Sequence, residues 1–256
     1  MTRFGIALLS VFTAATPWQA SAAADVASSS RETVVVLHGL ARTSASMSTM
    51  VRALETAGYD VCNISYPSRE HSIEKLTTQF VAPAVRACLP NNTDKAHFVT
   101  HSMGGVIVRQ LARSAPDLMI GRVVMLSPPN HGSEVVDKLG QLSLFKAING
   151  PAGLQLATRE DSVPRSLGSA SFDVGIITGS RTVNPFLSLL IPGDDDGKVS
   201  IESAKLEGMT GFCVMPATHP FIMKNRSVIE QTLSFLAKGR FTCHAQQTAA
   251  VNRTPQ

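Results

Sequence analysis

The sequence predicts an α/β fold, a mainly parallel sheet of about six strands flanked by helices. Three observations carry that expectation. Short apolar runs rich in Val and Ile recur between turn residues, as in "TVVVL" at 33–37, and such runs suit strands buried on both faces. These runs alternate with longer segments whose apolar residues return at helical spacing, the pattern of right-handed crossovers. The stretch from His97 to Ala112 joins the two kinds of element through one sharp turn at His101-Ser102-Met103.

Taken in order, Thr33–Leu37 is the first strand, followed by the Gly- and Ser-rich loop "HGLARTSASM". Ser44 or Ser46 is placed to cap the next helix, which carries Met47, Met50, Val51, Leu54 and Ala57 and ends at Gly58. Tyr59 to Tyr66 is the second strand, closed by Pro67. Ser72 to Leu89 reads as one helix with an Ile73/Leu76/Phe80 stripe, followed by Pro90 and the polar loop "NNTD". Lys95 to Thr100 is the third strand, and a helix leaves the turn near Gly104 and Gly105. Arg122 to Leu126, Phe172 to Thr178 and Gly211 to Met215 complete the strands, and Asn225 to Lys238 is the last helix.

The ends read differently from the middle. Arg3 precedes an apolar stretch, Phe4 to Ala15, which is short for a bilayer span. The following "TPWQASAAAD" offers small-residue cleavage sites, after Ala22 or after Ala24. Residues 1–22 are therefore expected to be a signal peptide, 23–32 a linker, 33–240 the folded domain and 241–256 a tail. This implies export, into a periplasm or out of the cell. Losing residues 1–22 removes Arg3 and no acid, which lowers the formal net charge from +4 to +3. The remaining Lys and Arg are scattered, which gives no support to nucleic-acid binding. Four cysteines allow three pairings, or free thiols. Cys62–Cys88, from a strand to the end of the next helix, and Cys213–Cys243, from a late strand to the tail, are the favoured pairs. Their spacing fits no zinc pattern.

Chemistry concentrates in "HFVTHSMGGVIVRQLA". A serine set between strand and helix, with small neighbours, describes a nucleophile elbow, in which the strained turn exposes the hydroxyl above a helix N-terminus. A serine that only caps the helix Gly104–Ser114 is the plain structural alternative. With "HSMGG" the chain resembles the α/β-hydrolase superfamily, especially its small bacterial lipases and esterases. It differs in carrying Thr100 where the G-x-S-x-G pattern has its first glycine. The resemblance spans roughly residues 33–238 and implies the minimal, six-stranded version of that fold, because only about ten residues separate the expected cleavage site from the first strand.

In that superfamily the order along the chain is serine, acid, histidine. "GDDDGKVS" at 193–200 resembles the D-G-x-V acid turn of bacterial lipases. Gly197 and Val199 set its register on Asp196, with Asp194 and Asp195 as adjacent rivals. An exposed acidic turn or a calcium loop is the other reading of these aspartates. His219, in "CVMPATHPFIM", follows the last strand and is the expected base. His38, His71 and His97 precede the serine, His101 is its neighbour and is expected to be aimed away by the turn, His131 precedes the acid, and His244 lies in the tail. "LHGLART" resembles the His-Gly-x oxyanion loop, which implies backbone donors at Leu40 and at Met103, with His38 as a brace. "SPPNHGSEV" resembles a site-lining segment and puts Asn130 or His131 near the pocket, without a role.

Two stretches exceed simple crossovers, residues 131–170 and 180–195, and read as cap or rim insertions beyond strand ends. The first holds a helical pattern at Val135, Val136, Leu139 and Leu142. The second contains the apolar "VNPFLSLLIP". Leu144, Phe145, Phe186, Leu187, Leu189 and Leu190 are candidates to line an acyl pocket, or to bury one another. The resemblance implies an ester hydrolase working through Ser102, Asp196 and His219 with no cofactor and no metal. The partner is a small-molecule or lipid ester, with transient contact to a lipid surface. Acyl transfer from the same acyl-enzyme, or a non-catalytic binding role on the same fold, are the alternatives.

Overall fold

Strands that must bury both faces dictate the architecture. The computed structural model describes Met1 and residues 31–89 and 95–243. The expected signal peptide, nearly all of the linker, the loop at 90–94 and the tail beyond 243 lie outside the described residues. Six strands form one sheet, β1 (Thr33–Leu37), β2 (Asp60–Ile64), β3 (Ala96–His101), β4 (Ile120–Leu126), β5 (Val174–Gly179) and β6 (Gly211–Met215). Their spatial order is β2-β1-β3-β4-β5-β6, and every pairing is parallel.

Period-two alternation sorts the strand side chains into two cores. Val35, Leu37, Phe98, Val123, Met125 and Ile176 face one side. Val34, Val36, Val99, Val124, Leu126 and Ile177 face the other. Full burial of each such side chain contributes roughly 1.5–3 kcal/mol. On the second side lie α1 (Ser48–Thr56) and the last helix, whose Phe235 and Leu236 are fully buried there.

The expected helix from Ser72 to Leu89 is interrupted. It runs as α2 (Ile73–Lys75), a π-helical segment (Leu76–Val81) and α3 (Ala82–Cys88). The cause is Pro83, which has no N–H to give and whose ring crowds the carbonyl four residues back. The wider turn resolves this, with the Ala82 N–H donating to the Thr77 carbonyl five residues earlier. Ser44 and Ser46 likewise differ from expectation. They lie inside a 3₁₀ turn, Ser44–Met47, and neither caps α1.

From β3 the chain enters α4 (Met103–Ser114), then β4. The 131–170 excursion folds as α5 (Glu134–Leu139), α6 (Ser143–Leu154) and α7 (Val163–Ser166), with α6 kinked at Gly150-Pro151. The excursion is tied down by Arg109, buried in α4, whose guanidinium donates to the Asn130 side chain and carbonyl and to the Gly168 carbonyl. Burial lowers the Arg109 pKa to about 10. The apolar stretch after β5 forms the single turn α8 (Pro185–Ser188), and α9 (Ile201–Ala204) precedes β6. Asn225 accepts from the Ser227 and Val228 amides to start α10 (Arg226–Lys238).

Disulfides join Cys62 to Cys88 and Cys213 to Cys243. The second pins the segment after α10 to β6 across a separation of 30 residues, a constraint of roughly 3–4 kcal/mol in chain entropy. Among the described residues no helix is long and apolar enough to cross a membrane.

Candidate active site

The site lies at the carboxyl ends of the strands, where four loops converge, as open α/β sheets favour. The first is the turn between β3 and α4. Ser102 there holds φ 52° and ψ −123°, a conformation that costs a non-glycine residue of order 1–3 kcal/mol. The turn is tight because α4 sits close to the sheet. A Cβ on Gly104 would lie 2.9 Å from the Leu37 carbonyl oxygen. Thr100 causes no conflict, since it is still within β3, in register with Leu37 and Met125. Ser102 stands at the N-cap position of α4, yet its hydroxyl makes no capping hydrogen bond. It lies 3.0 Å from His219 Nε2 instead.

His219 opens a 3₁₀ turn, His219–Lys224, after β6. Its Nδ1 lies 2.8 Å from Asp196 Oδ2. The other carboxylate oxygen, Oδ1, accepts from the amides of Lys198 and Val199 at 3.1 and 2.9 Å. Asp196 is fully buried. Burial alone would raise its pKa, but the charge and hydrogen bond of His219, with a smaller contribution from the Val199 amide, hold the carboxyl below its ordinary value. Asp196 is therefore an anion at neutral pH, and it orients His219 with Nδ1 protonated and Nε2 free to accept from Ser102. Asp195 turns elsewhere, accepting from the Ser188 hydroxyl and the Gly197 amide.

The loop after β1 brings Leu40 to the same place. Leu40, Ser102 and His219 line two small cavities that meet at the serine. Among the described residues, no protein acceptor engages the Leu40 or Met103 amide. His38 braces this loop. Its Nε2 accepts from the Tyr66 amide at 3.3 Å, so its Nδ1 carries the proton that goes to the Gly39 carbonyl at 2.9 Å. The Tyr66 hydroxyl donates to the His38 carbonyl, the two rings stack at 4.1 Å, and the Ser68 hydroxyl accepts from the Ala41 amide at 3.1 Å.

His101 is not aimed away from the site. The fully buried ring packs 5.0 Å from that of His219, and its Nε2 lies 3.0 Å from the His219 carbonyl. A Cβ on Gly39 would come within 2.8 Å of its Nδ1, so the ring also sits under the loop after β1. Burial, then the charges of His219, Arg42 and Lys198, push its pKa well down despite the hydrogen bond to the His219 carbonyl. It stays neutral, and Nε2–H donates to that carbonyl. The reason is geometric. His101 is still the last residue of β3, and the turn redirects Ser102, not the residue before it.

The apolar candidates divide. Phe145 lines one cavity with Pro129, Val135, Val136, Leu156 and Val199, a lobe of about 40 Å³. Leu187 lines the other, about 190 Å³, with Arg42, Asn184, Lys198 and Pro220. Leu144 and Phe186 are 72% and 80% exposed and line neither, and Leu189 is equally exposed. Leu190 is half-buried outside both lobes. A one-turn helix such as α8 has too few residues to turn all its large side chains inward. Asn130 and His131 are also absent from both lobes. Asn130 is buried and donates to the Ala204 carbonyl at 2.9 Å, which makes it a structural knot. Among the described residues, no group of three or more His, Cys, Asp or Glu is arranged to hold a metal ion.

A parallel sheet with a strained serine after its third strand, facing a histidine after its sixth, defines a class of protein. The family described as alpha/beta hydrolase fold matches residues 32–160, and the chain belongs to that family. No curated protein matches the chain by sequence. Among solved structures it is similar to the lipase BlEst2 of Bacillus licheniformis. The propeptide form is 19% identical with a TM-score of 0.62, over 79% of this chain and 50% of that one. The mature form is 18% identical with a TM-score of 0.58, over 81% of this chain and 90% of that one. It is also similar to the phospholipase PlaB of Legionella pneumophila (19%, TM-score 0.56, over 68% and 45%) and to the metagenomic carboxyl esterase MGS0156 (21%, TM-score 0.57, over 76% and 66%). The chain thus spans half the length of the BlEst2 propeptide form and less than half of PlaB. At these identities the likeness is one of fold.

Proposed function

We propose that this chain is an exported serine hydrolase that cleaves carboxylic esters. The observation that carries the proposal is the hydrogen-bonded chain Ser102 Oγ, His219 Nε2, His219 Nδ1, Asp196 Oδ2, with steps of 3.0 and 2.8 Å. His219 takes the proton as the Ser102 oxygen attacks the ester carbonyl, and Asp196 stabilises the imidazolium that forms. The amides of Leu40 and Met103 hold the oxyanion. The alcohol leaves with the proton from His219, and water, activated by the same imidazole, releases the acid from the acyl-enzyme. Ester substrates are also what the names of the BlEst2, PlaB and MGS0156 neighbours suggest. Two disulfides agree with export.

Labelling by a fluorophosphonate tests the reading directly. An adduct on Ser102, together with turnover of p-nitrophenyl acetate, is the expected result. A folded protein that takes no label and cleaves no ester contradicts it.

The acyl group belongs in the apolar lobe beside Phe145, which at about 40 Å³ is much the smaller of the two lobes at the serine, the other being about 190 Å³. Short acyl chains are therefore the expected substrates. Phe145→Ala should open the lobe and raise kcat/KM for hexanoate relative to acetate by roughly tenfold, the effect of about two newly accommodated methylenes at about 0.8 kcal/mol each. A p-nitrophenyl ester series measures this, and an unchanged ratio would place the acyl group elsewhere. Outside the lobe, Leu142, Leu144, Ile148, Phe186, Leu189 and Phe221 are exposed hydrophobics on the insertions and beside His219. They supply a surface for transient contact with a lipid interface.

A further inference from the structure

The two loops assigned to the oxyanion and the acid each carry a cation two residues further on. Arg42 follows Leu40, and Lys198 follows Asp196. Both line the 190 Å³ lobe with Ser102 and His219, and Lys198 also borders the apolar lobe beside Phe145, which Arg42 does not line. Arg42 also lines a larger adjoining cavity of about 610 Å³, which adds Arg69 and the hydroxyl-bearing Thr43, Ser65 and Ser68. Among the described residues, none of Arg42, Arg69 and Lys198 has a carboxylate within 4.0 Å.

The nearby acids are committed or remote. Asp196 is held by His219 and two amides, Asp195 by Ser188 and Gly197, and Glu70 lines the outer cavity. Lys198 is an exposed side chain at the mouth of the lobe. Desolvation by the loops around it and the Arg42 charge hold its ammonium below its ordinary value, while Asp196 acts to raise it. Two like charges facing one small cavity repel each other until an anion enters between them. Neutral esters leave both cations without a counter-charge.

We propose that the preferred ester carries an anionic group, a carboxylate or a phosphate, on its alcohol moiety, and that Arg42 and Lys198 bind it in the 190 Å³ lobe. This rests on the ester-hydrolase reading of the same site. Arg69 extends the positive surface outward from Arg42 and draws the anion in from solvent. The guanidinium offers paired donors to planar carboxylate or to phosphate oxygens, and the ammonium adds a point charge from the facing loop.

The test compares matched acetyl esters on the purified enzyme. The acetyl ester of 4-hydroxybenzoate is set against that of 4-hydroxybenzamide, and 1-acetylglycerol-3-phosphate against 1-acetylglycerol. The charged member should have the higher kcat/KM by roughly tenfold or more in at least one pair. The pair with the larger ratio identifies the anion. Arg42→Gln and Lys198→Gln should each lower that ratio by roughly tenfold to a hundredfold, the range for losing a hydrogen bond to a charged group. Raising ionic strength on the unaltered enzyme should lower the ratio as well, a readout independent of any variant's folding. If neutral esters are cleaved and Ser102 is labelled, but both ratios stay near one and respond neither to salt nor to the substitutions, the anion site is wrong and the hydrolase reading stands. If no ester is cleaved and Ser102 takes no label, both fail.

Discussion

Replacing Ser102 with alanine is expected to lower kcat for p-nitrophenyl acetate by roughly 10⁵–10⁶-fold, to the level left by binding and the oxyanion donors alone. The size follows from the chemistry. Without the Ser102 oxygen no acyl-enzyme forms, and His219 has no proton to accept at its Nε2. Folding should hardly notice. The hydroxyl makes one hydrogen bond, to His219, and none to the helix it precedes. Losing it should cost about 1 kcal/mol, or a Tm shift of roughly 2–4 °C for a domain of this size. If Ser102 were merely a helix cap, the pattern would reverse, with a stability loss and intact turnover. Intact-mass detection of the fluorophosphonate adduct, calorimetry and initial rates together separate the two outcomes.

The sheet was readable because parallel strands buried on both faces leave a continuous β-branched trace, as Thr33–Leu37 does, found with the expected bounds. The edge strand Gly211–Met215, with only Cys213 buried, was marked instead by its short apolar run between turn residues. The order of serine, aspartate and histidine was readable for a similar reason. Each sits in a connection that leaves the carboxyl end of a strand, Ser102 and His219 just past β3 and β6 and Asp196 in the longer connection after β5. Chain order and strand order together therefore bring the three side chains to one end of the sheet. What escaped was orientation. Nothing in the composition of "VNPFLSLLIP" says that Phe186 faces solvent while Leu187 faces the serine, because a single helical turn has no periodicity to read. His101 escaped because its partner is the backbone of His219, 118 residues away, and backbone carbonyls leave no mark in a sequence. Pro83 was visible, yet Ser72–Leu89 read as continuous because its apolar stripe outweighed one missing hydrogen bond. The two cations escaped because scattered Lys and Arg look like a solvated surface until folding places Arg42 and Lys198 in one cavity.

Asp196→Asn should have the second-largest effect, a fall in kcat of roughly 10³–10⁴-fold, comparable with the same exchange in a serine protease of unrelated fold. The geometry explains why an isosteric change should be so costly. Oδ1 is fixed by the Lys198 and Val199 amides, so the amide oxygen of an asparagine will take that position and its NH₂ will face His219 Nδ1. Nδ1 must then accept, which moves the imidazole proton to Nε2 and removes the lone pair that Ser102 needs. The imidazolium of the transition state also loses its anionic partner in a fully buried setting, where charge is poorly screened. Asp195→Asn should act differently, loosening the hold on Ser188 and hence on α8, with a loss below about tenfold, the scale of one surface-loop hydrogen bond. Asp194→Asn, at an exposed position, should do less still. Measuring kcat for all three variants settles the register of the acid. A crippled Asp195→Asn beside an active Asp196→Asn would move the acid by one residue and undo the assignment.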